Sequence, residues 1–270
     1  MTVSTARAPV GSRRVGFARY CEIVATLAAR TLKVRYRGSI LGVYWSLSNP
    51  LLMTGVYTLI FGTAFARYYG NSVPEYTLAV FVGLAVLTFF TASTTQALAS
   101  VVTGGGLLNK LELPFSAFPL AAIAANVFQL AVGTLPLLVA VTVWRTHSLL
   151  HVVALTGPLG GLILTSCGIG LLTGALYVFF RDLPYLYELF CFVLYMTSPI
   201  FYPLDLVPPS VRGWMVLNPL ATIVESTRTV VLMPGTVPAE AFSPLLVGAI
   251  VLAIGATAFA VLRNDFMDLL

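Results

Sequence analysis

The sequence predicts an all-α integral membrane protein: six membrane-spanning helices preceded by an amphipathic helix. Three observations lead there. Only 9% of the residues are charged and 58% are hydrophobic, against about 25% charged in a soluble domain, so the chain cannot cover its surface for water. Four cations, Arg30, Lys33, Arg35 and Arg37, run directly into an uncharged stretch from Gly38 to Ala66, longer than the ~20 apolar residues that cross a bilayer. Upstream of them, Phe17, Tyr20, Cys21, Val24, Leu27, Ala28 and Thr31 recur at three and four residues, the period of one helical face.

In chain order, residues 1–14 read as a cytoplasmic tail, with no apolar core of a cleavable signal peptide. Residues 15–37 form the amphipathic helix, with Arg19, Glu22, Arg30, Lys33 and Arg37 opposite its apolar face. Beside a span, such a helix lies along the membrane surface. Arg35 falls on the apolar side, from which it can snorkel to headgroups, and Gly38 and Gly42 permit the bend into span one. The transmembrane domain, 38–270, has spans at about 46–66, 76–102, 117–144, 150–180, 184–203 and 242–262.

Span two is expected to stop at Gly104-Gly105-Gly106, since each helical glycine costs about 1 kcal/mol relative to alanine. The compact element LLNKLELPFSAFP follows on the cytoplasmic side. Pro136 marks a kink in span three, and the Gly157/Gly161 and Gly170/Gly174 pairs of span four have the spacing that lets helices approach closely. Span five is crowded with aromatics. The segment 204–238 is too polar and proline-broken to span, yet too apolar for a free loop. It suggests two short helices around Asn218-Pro219, re-entrant or surface-lying on the external side.

Orientation follows from the cations. With both termini inside, eleven lysines and arginines fall on the cytoplasmic side and Arg67, Arg145, Arg212 and Arg228 outside, the bias that positive-inside topology requires.

Several chemistries are disfavoured. The spans are nearly free of ionisable groups, which argues against an ion-coupled carrier, whose relays sit inside the bilayer. There is no GxxxxGK[ST] phosphate loop. His147 and His151 lack a third metal ligand close in sequence, Ser166 has no evident base, and the three cysteines are isolated. No catalytic or metal residue is assigned. The aromatics say more. Tyr57, Phe61 and Phe65 are spaced by four, and Phe192 and Tyr195 by three. Such stripes serve core packing or lipid contact, or else line a pore on which the C–H faces of sugars slide; the residues alone leave both open.

The blocks KVRYRGSILGVYW with the later Pro50, LLNKLELPFSAFPL, Phe180-Arg181-Asp182-Leu183, and SPIFYPLDLVP with LNPLATIVESTR resemble, in order and spacing, the permease subunits of ABC exporters for lipid-linked polysaccharides, the O-antigen, teichoic acid and polyol phosphate export type. The resemblance covers nearly the whole chain. It implies a permease homodimer in the bacterial inner membrane, paired with two copies of a separate ATPase that carries ATP and Mg, so that this chain needs no cofactor and performs no chemistry of its own. It further implies a coupling element seated on the ATPase through Asn109, Lys110, Leu111, Glu112 and Pro114, with Arg181 and Asp182 as a second contact. The interface helix and elbow would comprise Arg30, Lys33, Arg35, Arg37, Gly38 and Gly42. External gate helices would carry Trp214, Asn218, Pro219, Glu225 and Arg228. Spans one and five of both copies would line the channel through Tyr57, Phe61, Phe65, Phe192 and Tyr195. The competing readings are a permease of the same architecture for a small lipid or drug, and an intramembrane lipid-modifying enzyme, for which paired polar groups within a span are lacking.

Overall fold

The computed structural model describes residues 16–108, 113–203, 206–215, 218–263 and 266 of the 270, and of residues 105–108, 211 and 214 the backbone alone. Among the described residues there are helices and connecting turns but no strand. The helices are α1 (Phe17–Arg35), α2 (Trp45–Phe65), α3 (Val73–Leu108), α4 (Ala117–Gln129), α5 (Leu135–Thr146), α6 (Leu149–Ala154), α7 (Thr156–Phe179), α8 (Leu183–Thr197), α9 (Pro209–Met215), α10 (Pro219–Leu232) and α11 (Ser243–Leu262).

Among the described residues, five stretches are long and apolar enough to cross a membrane: Gly42–Tyr68, Val73–Gly104, Ala117–Thr146, Leu149–Phe179 and Ala239–Leu262. The sixth expected span is shorter. Helix α8 has 15 residues, about 22 Å at 1.5 Å per residue, against a hydrocarbon core of about 30 Å. It stops because Pro199 drives Ser198 out of the helical region, to φ −83° and ψ 134°.

Helix α3 is the axis of the bundle. Tyr76, Val80, Val82 and Phe90 along it are essentially inaccessible, and α2, α4, α7 and α10 pack around it. Contrary to expectation, α3 runs through Gly104-Gly105-Gly106 to Leu108. A β-carbon on Gly104 would meet the Phe118 ring at 2.5 Å, so at least this glycine gives α4 close access to α3, and packing overrides its weak helix propensity.

Spans three and four are interrupted for physical reasons. A wide π turn at Leu130–Thr134 precedes Pro136 and accommodates its missing N–H. Span four is divided at Leu155 into α6 and α7, because Pro158 cannot donate to the Ala154 carbonyl. Helix α1 does more than lie on a surface: Val24, Leu27, Ala28 and Leu32 pack on Ala121, Ala124 and Ala125 of α4. The Tyr20 hydroxyl is 2.9 Å from Ser116 Oγ, and burial pushes its pKa above the ordinary tyrosine value.

Both glycine pairs of span four mediate close contact, with different neighbours. Gly157 and Gly161 face Phe242 and Pro244 at the start of α11, whereas Gly170 and Gly174 face Ala97 of α3. The tightest seam also uses Gly168, Gly248 and Gly255, where a β-carbon on Gly255 would lie 2.0 Å from the Gly168 carbonyl oxygen and one on Gly248 2.6 Å from that of Gly161. Backbones meet here with no side chain between them, so dispersion acts at its shortest range. Replacing Gly255 by Leu is expected to destabilise the protein by about 1–3 kcal/mol or more through overpacking. Replacing Gly55, inside α2 and with nothing within 4 Å of its β-carbon position, by Ala should instead stabilise by up to about 1 kcal/mol. Unfolding midpoints in mixed micelles check the contrast.

Candidate functional site

The features worth a functional reading lie on α2, α8, the turn after α8, and α10. Tyr57, Phe61 and Phe65 share one half-buried face of α2. Their rings stack in series, Tyr57 on Phe61 at 6.2 Å and Phe61 on Phe65 at 5.6 Å between centroids. Tyr57 also stacks on Phe201 at 5.2 Å with planes 8° apart. Phe65 meets Tyr76 of α3 edge-on at 6.0 Å. From the opposite side, Tyr195 of α8 lies 5.9 Å from Phe201, and its hydroxyl is hydrogen-bonded to that of Tyr57. The structure therefore brings Tyr57, Phe61, Phe65 and Tyr195 into one aromatic cluster closed by Phe201. Phe192 does not join it; it is 61% exposed and lies on the outer face of α8 with Leu189 and Val193.

Arg228 and Asn218 hold the end of α8 in place. Arg228 is buried, and its guanidinium donates from Nε to the Ala79 carbonyl at 3.0 Å, from Nη1 to Pro199 O at 2.6 Å and from Nη2 to Ile200 O at 2.5 Å. The last two carbonyls lie in the break after α8, where no helix supplies donors. Glu225 is 3.9 Å from Nη1 and half-exposed, so the carbonyls, rather than the carboxylate, are the close partners. Gly83 leaves the space: a β-carbon there would lie 3.0 Å from Ile200 Cγ2 and 3.3 Å from Arg228 Nη2. Asn218 caps α10 by accepting from Leu220 N at 2.9 Å, while its amide donates to Thr197 Oγ1 at 3.2 Å and Ser198 Oγ at 3.0 Å. Pro219 occupies the first turn of α10, where its missing N–H is not needed. Helix α10 is not surface-lying; Leu220, Ile223, Val224, Val230 and Val231 are fully buried. The Trp214 side chain lies outside the described residues.

At the other end of the bundle, the elbow between α1 and α2 turns at Gly38 and Gly42, with φ of 79° and 50°, conformations that L side chains resist. Ser39 Oγ accepts from Gly42 N at 3.0 Å. Arg30, Lys33 and Arg37 are exposed. Arg35 does not simply snorkel: it donates to Gln96 Oε1 of α3, which also accepts from Asn126 Nδ2 of α4 at 2.8 Å. Asn109, Lys110, Leu111 and Glu112 lie outside the described residues. Pro114 sits half-buried before α4, and Arg181 and Asp182 are exposed in the turn before α8. Phe115 and Phe179 both pack on Phe266, at 5.4 and 6.0 Å, which puts the two turns at the same end.

Phe201, Tyr76, Gln96, Asn126 and Gly83 belong to these arrangements and were not singled out from the sequence. The amides carried a readable signal, being polar groups inside apolar spans. Phe201 did not, because it lies in an irregular turn with no periodicity.

Changing Arg228 to Met preserves length but leaves the Ala79, Pro199 and Ile200 carbonyls without the donor, and is expected to cost about 3 kcal/mol or more. Glu225→Gln should stay within about 1 kcal/mol, as for exposed ion pairs. Unfolding in mixed micelles compares the two. The Tyr57→Phe and Tyr195→Phe changes should be coupled by about 0.6 kcal/mol, the scale of hydrogen bonds in membrane interiors, in a double-mutant cycle with the same readout.

Comparison with known proteins places this arrangement. The chain is 29% identical over 252 residues to the O-antigen export system permease protein RfbA of Klebsiella pneumoniae, covering 92% of this chain and 95% of that protein. The protein of the same name in Myxococcus xanthus is 27% identical over 259 residues, 93% of this chain and 96% of that one. The polysialic acid transport protein KpsM of Escherichia coli is 25% identical over 225 residues, 82% and 85% of the two chains. The family model described as ABC-2 type transporter matches residues 22–232. The chain thus belongs to the ABC-2 type transporter family, as a multi-pass membrane subunit of the kind that works with an ATPase.

Proposed function

We propose that this chain is the permease of an ATP-driven exporter that carries a lipid-linked polysaccharide across the bacterial inner membrane. Two copies would form the channel and two ATPase subunits would drive it. The observation that carries the reading is the near full-length similarity to permeases named for O-antigen export and polysialic acid transport, which favours a glycan over a small lipid or drug.

In this reading both termini are cytoplasmic and the α1 end faces the ATPases. Electrostatics support that orientation. The α1 end carries exposed cations, whereas at the opposite end Arg145 pairs with Glu75 at 2.8 Å, Arg67 sits 4.8 Å over the Tyr68 ring, and Arg228 is buried on carbonyls. The channel wall is α2 and α8 of both copies. Each presents an outer row of exposed apolar side chains, among them Leu52, Val56 and Leu59 on α2 and Leu189, Phe192 and Val193 on α8, available to a second copy or to cargo.

Nucleotide-driven closure of the ATPases would push on the 107–116 element and the Arg181-Asp182 turn, and the Gly38/Gly42 elbow would let α2 tilt against α1 as a rigid body. Parting α2 from α8 then requires breaking the Tyr57–Tyr195 hydrogen bond. The glycan would pass over the Tyr57, Phe61 and Phe65 rings, with C–H faces on ring faces, while α9 and α10 close the external side.

The test is complementation. In cells lacking an O-antigen permease, co-expression of this chain with its ATPase should restore surface polysaccharide; restored drug efflux without surface glycan would overturn the reading. The triple change Tyr57→Ala, Phe61→Ala and Tyr195→Ala should impair export of long chains at unchanged protein level, and unimpaired export would remove the aromatic-wall idea. Lys110→Glu or Glu112→Lys should weaken co-purification of the ATPase, and full assembly and transport in both would count against the coupling role.

A further inference from the structure

A cavity of about 510 Å³ opens between α1, the last turns of α3 and the start of α4. It lies apart from the aromatic cluster of α2 and α8. Its walls divide by chemistry: Leu27 and Val34 of α1 with Phe118 and Ala121 of α4 give an apolar side, and Arg30, Arg35 and Gln96 a polar one. Among the described residues, no acidic side chain lines it.

The hydroxyls at the wall cannot serve an anion well. Thr31, Ser100 and Thr103 each commit their proton to a carbonyl of their own helix, Leu27 O at 3.0 Å, Ala97 O at 2.6 Å and Ala99 O at 2.9 Å. The strong donors left are the guanidiniums. Arg30 is exposed, and Arg35 gives one N–H to Gln96 and retains others, since a guanidinium carries five. Gln96 is itself fixed from behind by Asn126, so the Arg35 head is positioned rather than free.

The depth of the cavity suits an amphiphile. Gln96 lies eight residues before Gly104 on α3, about 12 Å along the helix, so the cavity runs from Gly104 and Phe118 near the end of α3 inward to the Arg35–Gln96 pair. We propose that this cavity is a binding site for an anionic glycerophospholipid of the leaflet beside α1. The phosphate sits between Arg30 and Arg35, its headgroup alcohol faces the Gly104 and Phe118 end, and the acyl chains leave past Val34 into the bilayer. Charge complementarity commits the site to this occupant: basic pockets between transmembrane helices hold anionic headgroups, and the volume fits a headgroup and glycerol rather than a folded peptide. The proposal does not depend on what cargo the channel carries.

The permease–ATPase complex is reconstituted in nanodiscs containing equal phosphatidylglycerol and phosphatidylcholine, released into detergent, and the retained lipid counted by native mass spectrometry. Wild type should retain phosphatidylglycerol in preference to phosphatidylcholine. The Arg30→Gln/Arg35→Gln pair should lower phosphatidylglycerol affinity about 30-fold, the effect of removing two basic groups near a membrane surface. Lys33→Gln, on the same helix but outside the cavity lining, should keep the preference. Arg30→Lys/Arg35→Lys, in which charge survives, should also retain it. Equal retention of the two lipids by wild type, unchanged retention in the glutamine pair, or equal loss in the lysine pair would each overturn the proposal. Displacement of phosphatidylglycerol by an added polyprenyl diphosphate at equimolar amount would assign the site to the glycan carrier and overturn it as well.

Discussion

The Arg228 guanidinium is the interaction on which the half of the molecule away from the α1 elbow depends. A helix that stops inside a membrane protein leaves carbonyls without donors, and hydrocarbon supplies none. Helix α8 stops at Thr197 because Pro199 follows, and the orphaned Pro199 and Ile200 carbonyls are taken by Arg228, with Asn218 holding the hydroxyls just before them. Only with that turn fixed does Phe201 stand where it stacks on Tyr57 and approaches Tyr195. The aromatic cluster on α2 and α8 is thus positioned from α10, through a buried cation that desolvation makes strongly dependent on its three carbonyl partners.

The bundle combines two kinds of contact with different mechanical consequences. The α7–α11 seam is backbone against backbone at Gly161, Gly168, Gly248 and Gly255, with little room for sliding. Helices α2 and α8 are joined by the Tyr57–Tyr195 hydrogen bond and by aromatic faces, contacts that tolerate re-stacking. Helix α2 is also attached to α1 through an elbow whose two glycines adopt positive φ. Structure and proposed mechanism meet at this division: a stiff seam on one side, and on the other a wall held by separable contacts.

The basic block from Arg30 to Arg37 first reads as a topological marker, and its residues have separate surroundings. Arg35 turns inward to Gln96, and the amide is held in turn by Asn126, so α1, α3 and α4 are tied by polar groups beside the cavity. Arg35 remains exposed along with Arg30, Lys33 and Arg37, so this tie forms at the edge of the bundle. A basic residue on the apolar side of an amphipathic helix finds the nearest polar atom, and here that atom belongs to the protein.

The sequence by itself determined the class, an all-α membrane protein, because that follows from the small share of charge and the length of the uncharged runs. It also marked Tyr57, Phe61, Phe65 and Tyr195 as aromatics on helical faces, without deciding whether packing or a pore used them. Tertiary structure decided what periodicity cannot encode: that α3 continues through three glycines with Phe118 over the first, that Phe201 joins Tyr57 and Tyr195 while Phe192 stays exposed, and that Arg228 serves buried carbonyls. Each depends on a partner distant in sequence, Phe118 for Gly104, Phe201 for Tyr57, Pro199 and Ile200 for Arg228. A local pattern carries the free energy of a segment in its solvent; which distant atom satisfies a buried group is settled only when the segments meet.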